Sequence, residues 1–276
     1  MVCPIINPDS EKLLKLIIKK LPHALLLTGE NKVGLSTIAK HIAAMRSVSP
    51  QIILPENDEK IDIKKGIISI DIMRRLYDET RTKTAGERII IIDYAERMTI
   101  QAQNAFLKLL EEPGEGVHFI LVSHSISKLL PTIISRTEHL NIKPISSKQS
   151  SELLDTLDIK DNKKRSQMLF IAEGLPAELT ILASDIEYFE MRSTMIRDAR
   201  ELLSGNLYRK LLITQRYKDN RTLALLLLID ASNILKKTIF ENPKLDTINY
   251  IDKLLKTYER IEANGNIRLC LAQMII

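Results

Sequence analysis

"AERMTIQAQNAFLKLLEEPGEGVHFILVSHSISKLLPTIISRTEHLNI", residues 95–142, decides the fold. Thr99 can cap a helix over 99–112, because its side-chain oxygen can accept an otherwise orphaned amide hydrogen. Pro113 stops that helix, since it lacks an amide hydrogen and its ring clashes with the preceding turn. "HFILVSH" (118–124) is then apolar without alternation, as suits a strand covered on both faces of a parallel sheet. "EHLNI" (138–142) reads as a weaker strand. Helix, buried strand and second strand in succession predict an α/β layered domain.

Working outward, "RIIIIDYAE" (88–96) and "HALLLTG" (23–29) have the same buried-strand character. Helices are predicted from a cap at Asp9 or Ser10 to about Lys20, over 35–46, and from Ser69 to about Thr82. The last of these has Ile70, Met73, Leu76 and Tyr77 on one stripe. The interval 47–66 holds Pro50, Pro55 and many charges, which predicts one short edge strand and an exposed loop. Beyond about residue 144 the strand signals end. Ser146 and Gln149 form a capping box, and the remainder reads as helix. Breaks fall near 174–176, 204–206, 241–246 and 263–266, with a softer one before a long helix from Asp185. The expected architecture is an α/β domain (1–144), a small helical domain (145–186) and a larger helical domain (187–276).

Composition narrows the function. Aromatic residues make up 4% of the 276 residues, with no Trp, which argues against stacking platforms for single-stranded nucleic acid. The formal charge of +5 permits contact with a polyanion without requiring it. Cys3 and Cys270 form no Cys-x-x-Cys pair and the histidines are not paired at ligand spacing, so no metal site is expected. No apolar run reaches the length of a membrane span, and "MVCPIINPDSEK" lacks the pattern of a secretory signal. The expectation is a cytoplasmic protein without a membrane partner.

Two motifs carry the chemistry. "GENKVGLST" (29–37) has Gly29 and Gly34 at phosphate-loop spacing, followed by Ser36 and Thr37. Such a loop cradles phosphate with converging backbone amides and a helix N-terminus. Leu35 stands where the motif requires a lysine, and Lys32, ahead of Gly34, leaves the loop on a different vector. In "IIIIDYAE" (89–96) the apolar strand ends in Asp93, a magnesium-holding position in P-loop ATPases, but Tyr94 replaces the glutamate that would activate water. Glu96 is expected to point elsewhere. Glu111 and Glu112, before the helix-ending proline, read as surface carboxylates, one pairing with Lys108.

The segment 95–142 closely resembles bacterial clamp-loader subunits of the AAA+ type. Their N-A-L-L-K-x-L-E-E-P helix corresponds to Asn104 through Pro113, with Phe106 as a mild departure. Their T-I-x-S-R-C segment corresponds to Thr132 through Thr137, with Thr137 in place of the cysteine. "ISIDIMRRLYDE" (68–79) is similar to another helix of the family, and "ANGNIRLCL" (263–271) to the last helix of its oligomerisation collar, where Ile267, Leu269, Leu271 and Met274 could pack on neighbouring collar helices or inside their own domain. Within the family the sequence looks most like the delta-prime branch of the DNA polymerase III clamp loader.

That resemblance implies an AAA+ domain, a helical lid and a helical collar. It implies partnership with gamma/tau-like and delta subunits, indirectly with a sliding clamp, and with primer–template DNA through phosphates. It implies that Arg136, after Ser135, acts as an arginine finger on ATP-Mg bound by a neighbour. The family's second sensing arginine falls on Ala177. With Leu35, Tyr94 and Ala177 all departing, this chain's own nucleotide site is expected to be degenerate and to need no cofactor. The zinc module of many relatives is absent. A catalytically active gamma/tau-like ATPase subunit is the alternative. A P-loop kinase fits poorly, lacking the loop lysine, and Arg136 argues against the clamp-binding delta subunit.

Overall fold

The structure, a computed structural model, describes residues 4–63, 65–81, 86–241 and 245–275. Two compact units divide the chain, Met1–Ala183 and Ser184–Ile276.

The first unit is built on five parallel strands: β1 (Ala24–Gly29), β2 (Gln51–Ile53), β5 (Arg88–Ile92), β6 (Val117–Ser123) and β7 (Glu138–Ile142). Their order across the sheet is β2-β5-β6-β1-β7. The run of four isoleucines in β5 shows why the pattern was continuous. Ile90 and Ile92 enter one core with Leu26, Phe119 and Leu121, while Ile89 and Ile91 enter the other with Leu25, Leu27, Ile120 and Val122. A strand buried on both faces has no polar side to show.

Helices cover both faces. α1 (Pro8–Lys19) and α2 (Leu35–Met45) supply one core; α3 (Ile70–Arg81), α4 (Ile100–Glu111) and α5 (Pro131–Ile134) supply the other. Thr99 caps α4, accepting from Ala102 N at 3.1 Å. α1 begins earlier than the sequence suggests: Asn7 is its cap, with Pro8 in the first turn. Ser10 is instead buried and accepts the Lys143 amide hydrogen at 3.1 Å. The interval 47–66 contains the edge strand β2 and a small antiparallel ladder of β3 (Glu56–Asn57) and β4 (Lys60–Ile61).

α6 (Ser147–Thr156), α7 (Asn162–Ala172) and α8 (Pro176–Ser184) follow β7. The Ser146–Gln149 capping box is present. These helices group with the sheet: Ile145 N donates to Gly174 O at 2.8 Å, and Leu175 packs on the α1/α2 core.

The second unit is helical: α9 (Ile186–Ser204), α10 (Leu207–Tyr217), α11 (Arg221–Glu241), α12 (Leu245–Glu262) and α13 (Ile267–Ile275). Ile267, Leu271 and Met274 lie in its own core with Leu202, Leu227 and Leu254, whereas Leu269 is 63% exposed. Arg192 and Asp230, both buried, form a two-point pair between α9 and α11 at 2.8 and 3.0 Å. The sequence-predicted break at 241–246 falls partly outside the described residues, as does Cys3; Cys270 is a buried free thiol. Among the described residues, no helix is long and apolar enough to cross a membrane.

Candidate functional site

The glycine loop links β1 to α2. Gly34, the residue before α2, has φ 95°, a left-handed backbone that favours glycine. At Gly29 a Cβ would lie 2.8 Å from Ile142 O and 3.0 Å from Val33 Cγ1, so only glycine fits without a shift. Leu35, 1% exposed, is packed in the α1/α2 core. Ser36 Oγ donates to Asp93 Oδ2 at 2.6 Å, joining the first turn of α2 to the end of β5. The other Asp93 oxygen accepts the Tyr94 amide hydrogen at 3.1 Å. A hydroxyl and a carboxylate so placed are hard oxygen donors of the kind magnesium takes. Thr37 is exposed.

Tyr94 has φ 57° and ψ 48°, so the chain turns sharply once β5 ends. Its ring meets His124 edge-on, with centroids 5.9 Å apart. Burial, followed by the charges of Asp93 and Glu96, raises the phenol above its ordinary pKa, with Arg97 opposing. At neutral pH it stays protonated and is no general base. Glu96 Oε2 accepts the His124 amide hydrogen at 3.3 Å, and His124 Nδ1 lies 3.2 Å from Gly29 O. His124 thus joins the glycine loop to the turn after β5. Its position at the carboxyl end of a parallel strand was the available signal.

Two residues of α8 meet the loop at Lys32. The Ala177 amide donates to Lys32 O at 3.1 Å, and Lys32 Nζ donates to the carboxylate of Glu178, which is 3% exposed. Lys32 therefore engages α8.

Arg136 is elsewhere. β7 pairs with β1 in the register Leu25↔Glu138 through Gly29↔Ile142. Arg136 precedes Glu138 and so stands at the amino end of β1, while the glycine loop is at the carboxyl end. Four residues at about 3.3 Å each separate these ends by about 13 Å. Arg136 Nη2 pairs with Glu111 Oε1 at 2.8 Å and Nη1 donates to Thr132 O at 3.2 Å. Ser135 Oγ donates to the same carbonyl at 3.1 Å. Glu111 thus engages Arg136, a partner that helix spacing around Lys108 does not reveal. Ser36, Asp93, Gly29 and Ala177 gather around the loop; Ser135 and Arg136 form a second, exposed locus.

A family model described as DNA polymerase III, delta subunit, matches residues 7–146, half of the chain. The chain belongs to this family. The delta' subunit of Bacillus subtilis (strain 168) is 32% identical over 111 residues, which is 40% of this chain and 33% of that protein. The DNA polymerase III gamma subunit of Buchnera aphidicola is 29% identical over 164 residues, 53% of this chain and 45% of that one. The chain spans a third to a half of the length of the curated relatives it matches. A DNA polymerase III gamma-subunit-related protein from Thermotoga maritima shares the fold at a TM-score of 0.54 and 19% identity, covering 96% of this chain and 97% of that one. The fold is therefore the AAA+ type, an α/β part with helical parts after it, in a member of the clamp-loader family.

Proposed function

We propose that this chain is a delta-prime-like subunit of a DNA polymerase III sliding-clamp loader, acting in DNA replication. It braces a ring of AAA+ subunits and supplies Arg136 in trans to the triphosphate of ATP-Mg bound by a neighbour. The observation that carries this is the register of β7 on β1. Arg136 stands at the sheet end opposite the chain's own loop, so a phosphate that meets it belongs to another molecule. Its planar fork suits phosphate oxygens and keeps its charge.

The chain's own loop is read as degenerate. Leu35 is held in the core and brings no cation. Tyr94 is protonated and in a left-handed turn. Ala177 offers only its backbone, and Lys32 is engaged by Glu178. These residues do not fit a hydrolysable nucleotide, and no catalytic step is assigned to this loop. The partners on this reading are gamma/tau-like and delta subunits, with the clamp reached through them and DNA through its phosphates.

The test is a ring reconstituted from this chain, its gamma/tau-like partners and the clamp. Arg136→Ala is expected to lower DNA-dependent ATP hydrolysis, the site facing it losing on the order of 10³-fold. Equal stimulation by both proteins would overturn the assignment. The Ser36–Asp93 pair favours one other reading, an active gamma-like ATPase. Magnesium-dependent ATP binding and phosphate release by the isolated chain would support that instead.

A further inference from the structure

We infer that Lys32 and Glu178 fasten the α6–α8 segment onto the glycine loop, so that this segment is held against the sheet with or without nucleotide. Glu178 is in the first turn of α8 and is 3% exposed, while the Lys32 side chain is 35% exposed. A buried carboxylate needs a cation and hydrogen bonds; stripped of its partner it strongly destabilises its surroundings. The same loop residue is bonded a second time, its carbonyl accepting the Ala177 amide hydrogen at 3.1 Å. Lys32 therefore offers α8 both an ammonium and a carbonyl.

The backbone of Lys32 is consistent with this. Its φ of 68° lies in the left-handed region, uncommon outside glycine and its small polar substitutes. Such a conformation persists where surrounding contacts over-determine it. Other ties of this segment, Gln149 Nε2 to Ile6 O at 2.8 Å, Ile145 N to Gly174 O and Leu175 on the core, lie before α8 begins. The Lys32 contacts join α8 to the loop itself. The charge pairing that a phosphate would make with a loop cation is thus made inside the chain. This inference does not depend on the ring assignment, since a negative result with Arg136→Ala would leave it standing.

Hydrogen exchange on the full chain tests it. In the native protein the α8 amides are expected to exchange slowly, at a rate that Mg-ATP leaves unchanged. Lys32→Gln and Glu178→Gln are each expected to speed α8 exchange about tenfold or more, while β1 and β6 amides keep their rates. The double variant should be no faster than the faster single, and Lys32→Arg should stay slow. If Glu178→Gln does not fold, the partly exposed Lys32→Gln carries the comparison. Unchanged α8 exchange in Lys32→Gln, or slowing by Mg-ATP in the native protein, overturns the inference.

Discussion

Leu35 and Arg136 have opposite relations to their surroundings, and their substitutions should separate accordingly. Leu35 is 1% exposed within a packed core. Leu35→Ala leaves a cavity and is expected to cost about 2–5 kcal/mol, read from urea denaturation. Arg136 is exposed, and its pair with Glu111 has both side chains well exposed, at 39% and 52%. Such pairs contribute about 0–1 kcal/mol. Arg136→Ala should therefore leave the denaturation midpoint nearly unchanged, so loss of hydrolysis in a reconstituted ring would not reflect unfolding. The departures at Leu35, Tyr94 and Ala177 were legible in the sequence because each falls at a fixed offset from a glycine or a strand end. The Lys32–Glu178 and Arg136–Glu111 pairs were not. They join residues 146 and 25 positions apart, and no local periodicity connects charges across such distances.

At the scale of elements, α4 is the helix whose packing settles the sheet's second face. Phe106 and Phe119 meet edge-on at 5.2 Å, both with no exposed surface. Phe106→Ala is expected to cost about 3–5 kcal/mol. Thr99→Ala, which removes only the cap, should cost about 1 kcal/mol; thermal melts of the two variants check the ratio. β1, α4 and β6 were legible because apolar runs or a clear cap mark them, whereas β7 gave only the weaker alternation of "EHLNI", in which Leu140 and Ile142 are buried. β5 was read as ending at Asp93 and ends one residue earlier, at Ile92, since Asp93 turns inward to Ser36 and Tyr94 adopts a left-handed backbone. The break between α6 and α7 was missed because "LDIKDN" (157–162) has neither glycine nor proline. There Asp158 takes φ 55° and Asp161 caps the next helix through the amides of Lys163 and Lys164.

The whole molecule consists of two units, each with its own core. The second holds the Arg192–Asp230 pair, buried to 5% and 6% side-chain exposure. Removing one partner leaves an uncompensated charge, so Arg192→Ala is expected to destabilise this unit by about 3–5 kcal/mol. Amide exchange should rise across 184–276 and hold within the sheet of the first unit. That the carboxy-terminal part is helical was plain from the end of strand signals. Which of its helical residues face inward was not, because α9 and α11 carry charges on their buried sides. Of the four residues left open between a neighbouring helix and their own domain, Ile267, Leu271 and Met274 lie in their own core and only Leu269 is exposed.

The β7–β1 register also gives the first unit a direction. Its phosphate-loop edge and its guanidinium edge are different surfaces, so contacts that pair one with the other are head-to-tail and never self-complementary. On the proposed assignment, a circle that includes this polypeptide has one joint where a finger is offered and one where nothing is burned, and counting occupied ATP sites against protomers in it is expected to come up one short for every copy it contains.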